Sequence, residues 1–274
     1  MTEDALVTVL RRDRTIVVAS LAALSTIAWA YVLWLMDSMR MGGMEMSDMR
    51  MGANPFDVVM IPSWQPWSAA EFVFIFVMWA VMMVGMMTPS AAPMILIYAR
   101  VGRQAELRGK PLAATGYFAT GYLIAWAIFS TFATFGQWLL ERASLLTPMM
   151  QSASGIIGGL VLIAAGLYQW TPLKDACLKY CQAPLLFIQR HGGFRRDPFG
   201  SLHLGFRHGF YCVGCCWPLM VLLFVGGIMN GLWIAGIAIF VLAEKIVPFG
   251  HLLSRIAGIM FTVGGIWLIA TSVT

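Results

Sequence analysis

Apolar residues fill the chain in seven long runs, at 16–36, 72–98, 113–140, 153–170, 208–228, 231–247 and 252–273. Charged residues fall mainly between these runs. A helix of ~20 apolar residues, rising ~1.5 Å per residue, crosses the ~30 Å hydrocarbon layer of a bilayer. The pattern therefore predicts an all-α polytopic transmembrane helical bundle of six to seven helices. The run at 231–247 makes the number uncertain by one, because Glu244, Lys245 and Pro248 interrupt it. Arg11, Arg12 and Arg14 before the first run resemble the flank of a signal peptide. That run is too long for one and no small-residue cleavage site follows, so a retained helix is expected.

Composition excludes the main alternatives. Of 274 residues, 59% are hydrophobic and 11% charged, against about 25% charged in a soluble domain, and mean hydropathy is +0.77. A soluble enzyme, a disordered chain and a secreted disulfide scaffold are all ruled out. The net charge of +5 does not point to nucleic acid, since the basic residues flank the apolar runs. The bilayer itself is the partner they imply. Arg11, Arg12 and Arg14 precede run one; Arg100, Arg103, Arg108 and Lys110 follow run two; Lys174, Lys179, Arg190, Arg195, Arg196 and Arg207 follow run four. These are alternate connections, so they share one side, predicted to be the cytoplasm. The expected organisation is a cytoplasmic tail and first helix (1–36), an extracytoplasmic Met-rich loop (37–70) and a transmembrane core bundle (71–274). The core carries a Cys-containing cytoplasmic loop at 171–207. The expected location is the plasma (inner) membrane with a cytoplasmic N-terminus. There is no convincing internal repeat.

Methionine changes the picture. The chain has 20, and Met36, Met39, Met41, Met44, Met46, Met49 and Met51 crowd into sixteen residues, MDSMRMGGMEMSDMRM. A thioether is a neutral, soft ligand that favours Cu(I) or Ag(I) over Zn, Mg or Ca. Asp37, Glu45 and Asp48 would concentrate cations there. Adaptable packing at the interface is the bland alternative, but seven Met separated by Gly and charged residues favour soft-metal capture. The absence of His from this stretch speaks for Cu(I) rather than Cu(II). In the second run, MWAVMMVGMMTPSAAPM, Met78, Met82 and Met86 recur every four residues, with Met83 and Met87 in the next stripe. Packing and a ligand ladder both fit that spacing. Pro89 and Pro93 free backbone carbonyls inside the bilayer, a feature of kinked helices and of transport sites alike. Thr88 and Ser90 are the candidates to satisfy them.

Five cysteines cannot all pair. Cys177 and Cys181 in KDACLKYC lie one helical turn apart, and CVGCC contains Cys212, Cys215 and Cys216 as a CxxC pair and an i, i+4 pair. Both groups are expected at the cytoplasmic ends of their helices, near His191, His203 and His208. Lys174, Lys179 and Arg207 are expected to favour thiolates there. Metal ligation, a membrane dithiol oxidoreductase and inert buried thiols remain alternatives; no βαβ pattern supports the second. Zn competes for a Cys/His site, and the Met cluster tilts the choice to Cu(I). Glu244 and Lys245 are either functional or a snorkelling, ion-paired feature.

The blocks MWAVMMVGMMTPSAAPM, GLYQWTPLKDACLKYCQAP, CVGCCWPLM and LAEKIVP resemble the bacterial family of predicted metal-binding integral membrane proteins whose domain is called DUF2182. The resemblance covers roughly residues 70–250. It implies a link with copper, and for some members a role as membrane copper chaperones serving a copper enzyme such as a tyrosinase. The positions it implies here are Met82, Met83, Met86, Met87, Pro89, Cys177, Cys181, Cys212, Cys215, Cys216, Glu244 and Lys245. The combined expectation is a non-enzymatic Cu(I)-binding membrane protein. Met residues would capture the ion and pass it to Cys thiolates for a client cuproenzyme, with inward transport as an extension. A dithiol oxidoreductase and a metal-free assembly scaffold are the alternatives.

Overall fold

A computed structural model describes residues 3–49, 67–109, 112–145 and 154–273; in 3–49, side chains are described from 15 to 38. Among the described residues every regular element is a helix. In chain order these are α1 (Glu3–Met49), α2 (Ala69–Leu107), α3 (Thr115–Arg142), α4 (Gly155–Tyr168), α5 (Pro172–Gln182), α6 (Pro184–Arg190), α7 (Pro198–Val221), α8 (Leu223–Gly226), α9 (Gly231–Ile246) and α10 (Gly250–Val273). Five stretches are long and apolar enough to cross a membrane: Thr15–Ser38, Ala69–Leu107, Thr115–Arg142, Pro198–Gly226 and Gly250–Val273. The pair α4–α5, bent by 65°, makes six if it counts as one span. The all-α transmembrane bundle is thus the fold. Helix α9 lies at the predicted sixth run, but its 16 residues reach only about 24 Å.

Helices α1 and α2 run antiparallel: Val18, Leu21 and Ala22 share a groove with Pro89, Ala92 and Leu96, while Ser25 reaches back to Gly85. Helix α1 continues past Met36 to Met49, so the backbone of the Met-rich segment is helical that far. Helices α3 and α7 run parallel and cross closely. A Cβ at Gly121 would collide with the carbonyl of Leu202, and one at Gly205 with the carbonyl of Phe118. Only glycine permits this approach, the small-residue packing by which helices associate in lipid. The N–H of Ala113, before α3, donates to the carbonyl of Arg195, before α7 (3.2 Å). The antiparallel α1–α2 pair and this bond gather Arg11, Arg12 and Arg14, the arginines at the end of α2, and Arg195 and Arg196 at one end of the bundle.

Of the three prolines inside helices, Pro89, Pro93 and Pro218, the breaks at Pro89 and Pro218 are repaired from neighbouring helices. Pro89 leaves the carbonyl of Gly85 without its helical donor, and the Ser25 hydroxyl of α1 donates to it (3.2 Å). Pro218 in α7 does the same to Gly214, whose carbonyl accepts from the Tyr168 hydroxyl of α4 (2.5 Å). Ser90 instead donates to the carbonyl of Met87 (2.9 Å), and the Thr88 hydroxyl has no hydrogen-bond partner among the described residues. The repair of Gly85 therefore comes from a residue that local sequence does not reveal.

Candidate metal centre

The core of the bundle is one continuous cluster containing both soft-ligand sets. Met82, Met83, Met86 and Met87 are buried in it with Cys177, Cys212, Cys215 and Cys216, and Cys181 packs against it partly exposed. Packing alone explains why the Met stripe is buried, since it is the face α2 turns inward, with Met78, Trp79 and Met94. The Tyr122 hydroxyl of α3 donates to the carbonyl of Met87 (3.1 Å) and touches Cys212 Sγ (3.2 Å). The inner end of the Met stripe therefore stands beside the thiols.

The α7 thiols are not at the start of their helix. Cys212 lies 14 residues beyond Pro198, the first residue of α7, about 21 Å along its axis, and level with the Met87–Ser90 break of α2. For Cys212, Cys215 and Cys216 the expected placement at a helix end is corrected accordingly. The 65° bend after α4, with Pro172 at the start of α5 and the Thr171 hydroxyl accepting from the Lys174 N–H, lays α5 along α7. Cys177 and Cys181, one turn apart, then both meet α7. Cys177 Sγ fits against Gly214, where a Cβ would stand only 2.9 Å away. Cys181 Sγ lies 3.9 Å from Cys215 Sγ. The thiols of Cys215 and Cys216 both reach the carbonyl of Cys212 (3.1 and 2.9 Å). All five cysteines are free.

The cation at the thiols is Lys245. Its Nζ donates to Cys212 Sγ (2.9 Å) and to the Ser90 hydroxyl (3.0 Å), tying α9 to α7 and to the break in α2. Lys174, expected to serve the thiols, is fully buried elsewhere: its ammonium bonds Glu244 Oε1 (2.7 Å) and Gln169 Oε1. Ser254 also donates to Glu244 Oε1 (2.6 Å), and the Gln182 amide to the Glu244 carbonyl (2.7 Å). Consecutive residues point about 100° apart on a helix, so Glu244 and Lys245 serve different neighbours. Of the nearby histidines, His208 alone sits in the core one turn before Cys212. Its ring is walled by Phe118, Tyr122 and Phe187, and Nδ1 has no hydrogen-bond partner among the described residues. His191 and His203 line a separate basic pocket of about 200 Å³ with Arg195 and Arg207.

Among the described residues, no three side chains of His, Cys, Asp or Glu form a group ready to hold a metal ion. The Cys181–Cys215 pair is what the geometry offers. With metal–thiolate bonds of ~2.3 Å, two sulfurs on one ion stand about 3.8 Å apart in tetrahedral and about 4.6 Å in linear coordination, so 3.9 Å suits a shared ion. It is far beyond a disulfide bond. Of the outer cluster, Met36 packs against Gly231. Met39, Met41, Met44, Met46 and Met49 lie on the helical backbone of α1 with side chains outside the described residues, and Met51 lies outside them altogether.

Comparison with known proteins agrees with this chemistry. The model of a copper chaperone family, PpoB2, matches residues 76–268. The chain belongs to this family of copper chaperones. No curated protein and no solved structure matches it. The copper link implied by the sequence blocks is therefore the chain's own family trait. The stretch shared with the copper chaperones contains the α2 Met stripe, all five cysteines, Glu244 and Lys245, whereas Met36–Met51 lies before it.

Proposed function

We propose that this chain is a membrane Cu(I) chaperone in which thioethers receive the ion and the α5–α7 thiolates hold it for a client cuproenzyme. The observation that carries the proposal is Tyr122, which joins the Met87 backbone to Cys212 Sγ and so sets the last step of the Met stripe against the thiols. Met78, Met82 and Met86 recur at about 6 Å along α2, a spacing suited to stepwise hand-over between labile ligands. Thiolates bind soft ions more tightly than thioethers, so transfer toward Cys181 and Cys215 runs downhill without ATP. In this reading the chain moves an ion and catalyses no reaction. Zn is less favoured than Cu(I), because the thiols adjoin a stripe of thioethers, soft neutral ligands that favour Cu(I) over Zn. Met36, Met39, Met41, Met44, Met46, Met49 and Met51 act as the extracytoplasmic capture segment, and the basic end of the bundle faces the cytoplasm. Movement of copper across the inner membrane follows if both hold.

The test is the Cu(I) stoichiometry of the detergent-purified chain under anaerobic, reducing conditions. The variant with all five cysteines changed to Ser is expected to lose the tightest Cu(I), and deletion of 36–51 to lose a weaker fraction. Equal stoichiometry and affinity in all three proteins would overturn the proposal.

A further inference from the structure

The basic pocket between α6 and α7 takes no part in the transfer of copper proposed above. His191, Arg195, Phe199, His203 and Arg207 line it, and it encloses about 200 Å³. None of the ion pairs among the described residues, Arg103–Glu106, Lys174–Glu244 and His251–Asp175, reaches it. Its two guanidiniums are always charged, which bars a metal cation and invites an anion. Gly192 and Gly193, at φ 86° and 78°, turn the chain back after α6. Arg195 then lies against Gly192, with Nη2 donating to the His191 carbonyl (3.2 Å). A guanidinium has five N–H donors, so that contact leaves most of them for a ligand. His191 adds no donor, since Nδ1 donates to the Phe187 carbonyl (2.7 Å) and Nε2 faces the Tyr211 hydroxyl (3.5 Å). Asp197, the one acidic residue between Asp175 and Glu244, caps α7 at the Gly200 N–H.

The depth of the pocket indicates which anion it meets. In the apolar stretch Pro198–Gly226, residues 208–226 contain no Asp, Glu, Lys or Arg. That uncharged length reaches about 28 Å, close to the thickness of the hydrocarbon layer. Residues 198–207 therefore stand at the level of the lipid headgroups. Phe199 is 77% exposed and Phe210, beyond Arg207, is 67% exposed, so apolar surface flanks the cations on both sides. The volume falls below the ~300–1,000 Å³ of pockets for drug-sized ligands, but a headgroup whose chains stay outside fits it.

We propose that this pocket binds the phosphodiester of one anionic phospholipid. Arg195 and Arg207 clamp the phosphate, and the acyl chains lie along Phe199 and Phe210. Arginine matches phosphate oxygens in paired hydrogen bonds, and basic pockets between membrane helices at headgroup level hold anionic lipids in this way. A bound lipid ties the α6–α7 loop to the first turns of α7. The inference stands independently of the copper reading.

The experiment titrates the full chain in detergent with dioleoyl phosphatidylglycerol, dioleoyl phosphatidylcholine or inorganic phosphate. Native mass spectrometry counts bound lipid, and the melting temperature is followed in parallel. One phosphatidylglycerol per chain is expected to bind and to raise the melting temperature. Phosphatidylcholine, whose choline cancels the same phosphate charge, and inorganic phosphate are expected to do neither. Arg195→Gln and Arg207→Gln are each expected to weaken phosphatidylglycerol binding by about fivefold. Both side chains are exposed, so neither change removes a core contact. Arg255→Gln, the same charge change at an exposed position on α10, is expected to bind as wild type. Wild-type affinity in both pocket variants would overturn the inference, and so would an equal loss in Arg255→Gln, which would reveal general surface charge. Phosphatidylcholine bound as tightly as phosphatidylglycerol would overturn it too. Stabilisation by inorganic phosphate equal to that by phosphatidylglycerol would replace the lipid with a free anion.

Discussion

Single side chains decide where charge goes in this bundle. Lys174 is fully buried, and its stability depends on Glu244 at 2.7 Å and on Gln169. Removing one member of a buried pair strands the other, at a cost of about 3–5 kcal/mol, whereas replacing both with apolar residues is nearly neutral. Lys174→Met is therefore expected to lower the melting temperature in detergent sharply, and Lys174→Met with Glu244→Met to recover most of the loss. An additive double variant would show that the pair is not coupled. Which lysine serves the thiols was beyond reach of the sequence. Lys174 is three residues from Cys177 and Lys245 is 29 from Cys216, yet the distant one makes the contact. Chain separation is a poor guide once α5 folds back along α7.

At the scale of elements, prolines and glycines govern how the helices meet. The periodicity of Met78, Met82 and Met86 and the presence of Pro89 were both legible, because spacing on one helix is a local property. The donor that repairs Gly85 was not, since Ser25 comes from another helix sixty residues away; the same is true of Tyr168 and Gly214. The α3–α7 crossing yields a sharp prediction. Gly121→Val places side-chain atoms where the Leu202 carbonyl stands, so it is expected to abolish recovery of monodisperse protein on size-exclusion chromatography. Gly136→Ala on the same helix meets nothing within 4 Å and is expected to behave as wild type. Comparable yields of the two would show that α3 and α7 do not pack this closely.

Taken whole, the molecule brings the arginines before α1, at the end of α2 and before α7 to one end and sets the α7 cysteines inside the bundle rather than at that end. The proposed orientation, positive end in the cytoplasm, is testable: a cysteine introduced as Arg196→Cys, at an exposed position, is expected to react with a membrane-impermeant maleimide only after the cell membrane is opened. Labelling of intact cells would invert the orientation and with it the direction of copper transfer. By itself the sequence determined that the chain is an all-helical membrane bundle and that it carries soft ligands in two chemical grades. Bilayer-crossing length and the softness of sulfur belong to residues and short segments, whatever they pack against. Tertiary structure alone decided that Cys181 faces Cys215, that Tyr122 joins the Met stripe to the thiols, and that Lys245 supplies their cation. Each of those contacts joins residues 33 to 90 positions apart, and such pairings exist only after helix crossing angles, the bend at Pro172 and the glycine contacts have set which faces meet.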